Sequence, residues 1–246
     1  MTAKSLLIVG MHLPLFAQQT EVLAFDVASI KRAPPDSGDR SIYNFPGRLT
    51  VANLGISSLI ESAYGVLPEQ ILGAPSWANS ERYDIDARCE ELQSLSASEI
   101  DRRNMIRLRP LLEGRFQLKI HREAREWQTY VLVAGTWARK LTPTRRTKER
   151  YRRTDNHGHT EWEGATMDDL SRHLAVELHR PVTNKTGIEG RFDFVLDFEN
   201  PATPAGQETW SSLFTSLPNQ MGLKLESRKA PVEFLVVDRV ERPSGN

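Results

Sequence analysis

The sequence is poor in the residues that most often announce chemistry. It has one cysteine, Cys89, in 246 residues, so no disulfide closes within the chain and no cysteine cluster holds zinc. Cys89 sits between Arg88 and Glu90 at an expected strand end. No base stands beside it to draw off the proton, and it reads as a structural thiol. Neither sign of charge is in surplus: 32 basic residues balance 32 acidic ones. General nucleic-acid binders carry a basic excess, so nucleic acid is not the expected partner. No apolar run is long enough to span a bilayer. The His-Glu-x-x-His of zinc peptidases is missing, as are a Gly-rich phosphate loop and a Gly-x-Ser-x-Gly nucleophile elbow.

What is present is the composition of a folded protein, 39% hydrophobic and 26% charged, which excludes a disordered chain. Lys4 precedes an apolar run from Leu6 to Phe16, and Ala17-Gln18 follows. This pattern predicts a secretory signal over residues 1–17, cleaved after Ala17, and a mature protein in the periplasm or secreted. Residues 18–41 read as an N-terminal strand, near Ala24 to Lys31, and a loop.

The clearest stretch is Gly190-Arg191-Phe192-Asp193-Phe194-Val195-Leu196-Asp197-Phe198. Phe192, Phe194, Leu196 and Phe198 point one way and Asp193, Val195 and Asp197 the other, a strand at period two. Ser80-Glu81-Arg82-Tyr83-Asp84-Ile85-Asp86 repeats its order of Arg, aromatic, Asp, apolar. Each phrase has an apolar helix before it, Ile56 to Ala63 or Leu170 to Leu178. Each has a helix after it, then a strand, Phe116 to His121 or Met221 to Glu226. After a polar stretch come Tyr130 to Val133 or Phe234 to Val237. The reading is α+β, with two tandem pseudo-repeated modules of short helices and antiparallel hairpins, helices packed on sheet. The modules span 42–138 and 160–246, the second ending in a short tail. Residues 139–159 join them as an exposed basic linker. Ser96 or Ser98 and Thr166 are expected helix N-caps, Gly65 a helix stop. Pro110 is expected to kink or shorten its helix.

These phrases resemble a known family, the soil-associated domain abundant in Acidobacteria, a domain of unknown function. The resemblance rests on Phe25-Asp26-Val27-Ala28-Ser29-Ile30-Lys31, Ala63-Tyr64-Gly65-Val66, Leu112-Glu113-Gly114-Arg115-Phe116, Lys185-Thr186-Gly187-Ile188-Glu189-Gly190-Arg191-Phe192 and Pro231-Val232-Glu233-Phe234. It implies an exported protein of a group sometimes fused to sensor-type membrane metallopeptidases. Here neither a membrane segment nor a protease motif accompanies it. No catalytic residues are known for the group, so none carry over.

Two constellations have the residue types for chemistry. His157, His159, Glu161 and Glu163 alternate within seven residues and would share one face of a strand, a spacing that suits zinc or nickel. Gly158 and the aperiodic approach favour a polar loop instead, so no metal is expected there. His173 and His179 do not share a helix face, and His121 reads as surface. Asp84, Asp86, Asp193 and Asp197 are the recurring carboxylates. Asp84 and Asp193 hold matching places, and a glycosidase would need such a pair across a cleft. Near a turn, an aspartate more often accepts backbone or arginine hydrogen bonds. No catalytic, cofactor or metal residue is therefore assigned. The expected function is non-enzymatic recognition of a protein or peptide, with strand edges for β-addition. The alternatives are an extracytoplasmic hydrolase or metal-dependent enzyme, and an anion or nucleic-acid binder using residues 139–153.

Overall fold

The computed structural model describes residues 23–34, 38–91, 94–135, 141–146, 150–153, 159–198 and 211–243, the segment 150–153 by its backbone alone. It is an α+β fold with helices packed against mixed sheets.

The first half opens with β1 (Val27–Arg32), β2 (Ser41–Phe45) and β3 (Arg48–Leu54), followed by α1 (Ile56–Tyr64) and the short strand β4 (Ile71–Leu72). Then come α2 (Trp77–Ser80), β5 (Tyr83–Arg88) and α3 (Ala97–Arg115). β1, β5, β3 and β2 lie side by side in that order as an antiparallel sheet. Leu49, Val51 and Ile85 on its inner face meet Ile56, Leu59 and Ile60 of α1 and Leu108 and Leu112 of α3. Gly65 stops α1 in the left-handed conformation and Ser96 caps α3 by accepting from the Glu99 N–H, both as expected. α3 does not stop at Pro110. It runs on to Arg115, giving up the one intrahelical bond that proline cannot donate.

The second half holds β7 (Thr142–Pro143), β8 (Arg150–Arg153), β9 (His159–Ala165), α4 (Met167–Leu178), β10 (Val182–Asn184), β11 (Phe192–Asp197) and α5 (Ser211–Ser216). A π-turn, Leu217–Met221, follows α5 and contains Pro218. β7, β11, β9 and β8 form a second antiparallel sheet. Taken element by element, its order repeats that of the first. Equivalent bonds recur at its edge: Ala33 N–H donates to the Arg82 carbonyl and Thr144 N–H to the Arg191 carbonyl, each at 2.9 Å. Thr166 caps α4 in a reciprocal capping box with Asp169. Two strands, β7 and β8, thus lie in the stretch expected as a linker.

The remaining sheet corrects the expected hairpins. β6 (Lys119–Ala134) and β12 (Leu223–Arg239) are each one unbroken strand, and they pair with each other along their full length. Residues 122–128 and 226–231 look like polar turns because the middle of this ribbon is exposed. Charged side chains decorate it, including the Arg122–Glu233 pair and Glu226–Arg228 at 3.1 Å. One end of the ribbon supplies Leu235 and Val237 to the first core, the other Leu132 and Leu223 to the second. β4 adds to β12 and β10 adds to β6, both in parallel. Each half therefore hands its short strand to the long strand of the other.

Phe192, Leu196 and Phe198 are buried as the alternation requires. Phe194 is only half-buried, stacked on Trp162 at 5.7 Å between ring centres.

Candidate functional site

The matching aspartates are placed alike and do the same local job. In β3 the pairing with β5 slips between Val51 and Leu54, and Asn53 takes a φ of +53°. In β9 the pairing with β11 slips at the equivalent place, and Gly164 has a φ of +68°. Such a bulge turns one backbone N–H out of the ladder. Asp84 Oδ1 accepts it from Asn53 at 2.9 Å, and Asp193 Oδ1 accepts it from Gly164 at 2.7 Å. The aromatic before each aspartate, Tyr83 or Phe192, fills its half's core. The repeated phrase is thus a device that closes a bulge just before a helix starts.

Asp86 is gripped by two arginine forks, Arg48 at 3.0 Å through Nε and Nη2, and Arg88 through Nη2 at 2.9 Å. The Arg88 and Arg48 hydrogen bonds hold its carboxyl down at about 2. A group that ionised at neutral pH does not serve as a general acid. Cys89 keeps a thiol pushed up by burial, the opposite of an activated nucleophile.

On β9, His159, Glu161 and Glu163 do share a face, as the alternation implies, while His157 lies outside the described residues. His159 Nδ1 bonds the Asp197 carboxylate of β11, and its Nε2 lies 3.6 Å from Glu161. Arg146 reaches Glu163 at 3.2 Å and Asp193 at 3.9 Å. Among the described residues no three His, Cys, Asp or Glu side chains are grouped to hold a metal ion. The Asp197 hydrogen bond, with a smaller part from Glu161, raises the His159 pKa above 6.5. A raised histidine stabilises the fold while protonated. Its contribution is complete below the unfolded value and fades as pH climbs through the folded one. Proton-detected titration is therefore expected to place His159 above 6.5 and to return it toward that value in Asp197→Asn. A His159 midpoint indifferent to Asp197→Asn would contradict the contact.

Residues 57–240 match the family model described as Protein of unknown function (DUF3738). The chain belongs to this family. Most of both halves lies inside the DUF3738 match, from α1 to the end of β12, while β1, β2 and β3 precede it. No curated protein and no solved structure matches the chain. Among the described residues, no helix of this DUF3738 chain is long and apolar enough to cross a membrane.

Two of the open grooves on the described surface bear on function. One of about 580 Å³ lies beside the start of α4, lined by Thr166, Asp168, Asn184, Lys185 and Glu189. Several of the polar groups there are turned on one another: Asn184 donates to Asp168 at 2.8 Å, and the Thr166–Asp169 box fills the helix end. The other, about 480 Å³, lies on the outer face of the first sheet over Ser29, Lys31, Thr50, Asp84 and Asp86. Apolar side chains flank it. Val27 of β1 is 69% exposed, and Tyr43 and Phe45 of β2 are 57% and 49% exposed. β2 is not among the strands expected from the sequence. Its signal is the alternation of Ile42 and Asn44 with Tyr43 and Phe45, ended by Pro46-Gly47.

Proposed function

We propose that this chain is an exported, non-enzymatic module that recognises a protein or peptide through its first sheet. The observation that carries this is the open outer face of that sheet. Three of the five exposed large apolar side chains among the described residues, Val27, Tyr43 and Phe45, lie on it. They stand in cross-strand rows, Val27–Arg88–Arg48–Phe45 and Ser29–Asp86–Thr50–Tyr43. A face that exposes aromatic, small and charged side chains among the described residues suits recognition. Of the recurring carboxylates, Asp84 and Asp193 accept from backbone N–H groups, Asp86 from two arginines, and Asp197 is paired with His159.

Tandem duplication of one module is part of the reading. The repeated strand order and the paired bulge aspartates support it, as does the repeated phrase in the sequence. Export is part of it too, through the signal over residues 1–17, which lie outside the described residues. The resemblance to soil-associated exported proteins points the same way.

A photo-crosslinking residue at Thr50, in protein recovered from the host periplasm, tests the proposal. We expect a mature N-terminus at Gln18 and a protein adduct that disappears when Tyr43 and Phe45 are both replaced by Ala. The same probe at Glu161, on the other antiparallel sheet, should give no such adduct. Hydrolase or glycosidase turnover that vanishes in Asp193→Asn would overturn it.

A further inference from the structure

The geometry points to β2 as the edge where an extended, uncharged, proline-free peptide adds as a fifth strand of the first sheet. This deepens the proposed recognition function and rests on it. An edge strand offers a row of unpaired N–H and C=O groups, and proteins guard most edges by charge, proline, brevity or cover. Six edges exist here among the described residues. β1 carries Lys31 and Arg32, and Arg115 Nη1 covers its Ala28 carbonyl at 3.2 Å. β8 has three arginines in four residues. β7 is two residues with Pro143, β4 is two residues and β10 three. β2 alone is five residues without charge or proline, Ser41-Ile42-Tyr43-Asn44-Phe45.

Its outward groups can be identified. Cys89 N–H donates to the Gly47 carbonyl at 2.8 Å, so odd-numbered residues at this end of β3 bond toward β5. Alternation then turns Arg48, Thr50 and Ala52 toward β2. Their register partners are Phe45, Tyr43 and Ser41. The N–H and C=O of Ile42 and Asn44 accordingly face away from the sheet. The incoming strand takes those groups, and its outer-face side chains lie beside Tyr43 and Phe45. Aromatic and β-branched residues pack best in such cross-strand positions, while a charge brings no partner on β2.

The probe is a short acetylated peptide of alternating Thr and Val, with a copy carrying Pro in place of its central Val. Amide exchange at Ile42 and Asn44 should slow with the first peptide and not with the second. Tyr43→Lys and Asn44→Pro should each weaken binding about tenfold, the scale of one lost interstrand hydrogen bond or neighbour. Both leave the ladder to β3 intact, which circular dichroism checks, and Val195→Lys on β11 should bind as the parent does. Unchanged exchange at Ile42 and Asn44 under saturating peptide overturns the assignment. So does self-association broken by Tyr43→Lys, which would make a second copy the occupant. If Thr50 adducts persist while those amides stay indifferent, the edge is wrong and the broader recognition reading stands. If both fail, so does that reading.

Discussion

Glu91→Gln is expected to destabilise the protein by about 3–5 kcal/mol, as breaking a buried ion pair from one side does. Glu91 follows β5 and accepts from Arg107 Nη2 at 2.7 Å and Arg103 Nη1 at 3.3 Å. The Glu91 and Arg107 side chains are each 5% exposed. Glutamine keeps one acceptor oxygen but no charge, so the buried Arg107 guanidinium loses its counter-charge, with the neutral Asn104 Oδ1 at 3.3 Å on α3 beside it. Asn104 in turn donates to the carbonyls of Phe45 and Arg48 at 3.0 and 3.1 Å, holding the β2–β3 turn on α3. The turn needs Gly47, since a Cβ there would stand 2.4 Å from the Cys89 carbonyl oxygen. Chemical denaturation should show the loss. The double variant Glu91→Leu, Arg107→Met should recover most of it, because it removes both charges together. A double variant no better than Glu91→Gln would mean that packing, not charge, is at stake.

Phe116→Ala is expected to cost about 3–5 kcal/mol, a large part of the roughly 5–15 kcal/mol a domain has. Phe116 caps α3, is 0% exposed, and meets Tyr83 edge-on at 5.2 Å. Its carbonyl also accepts the Glu241 N–H at 2.7 Å, which ties the segment after β12 to the end of α3. The smaller side chain leaves a cavity between α3 and β5 that fixed strands cannot close. Phe194→Ala, half-buried on Trp162, should cost clearly less. Equal losses in urea unfolding would show that the burial difference between the two positions does not govern stability.

The local rules were legible in the sequence wherever one segment decides its own conformation. The caps at Ser96 and Thr166, the stop at Gly65 and the strands at Tyr83 and Phe192 need only neighbours in the chain. The α+β class follows from them. β6 and β12 were not legible as single strands, because their middles pair only with each other, about a hundred residues away, and are wet on both faces. A charged stretch such as Arg122-Glu123-Ala124-Arg125-Glu126 has no periodicity to betray it. β4 and β10 are too short for any pattern, and only the long strands they join give them form. Of the candidate residues, the kinship of Asp84 and Asp193 was visible, but their purpose was not. It depends on a slipped register in a neighbouring strand, which no spacing encodes.

The exchange of β4 and β10 across the ribbon sets an order on synthesis. β4 is made early, yet the strand it joins, β12, occupies residues 223–239. β6 likewise waits for β12 along its whole length. Contacts so distant in sequence form slowly. A ribosome must extend the chain past residue 239 before the central sheet can close, so a nascent first half emerges with its longest strand unmatched. Until β12 arrives, the first core lacks Leu235 and Val237 and both β4 and β6 lack their partner.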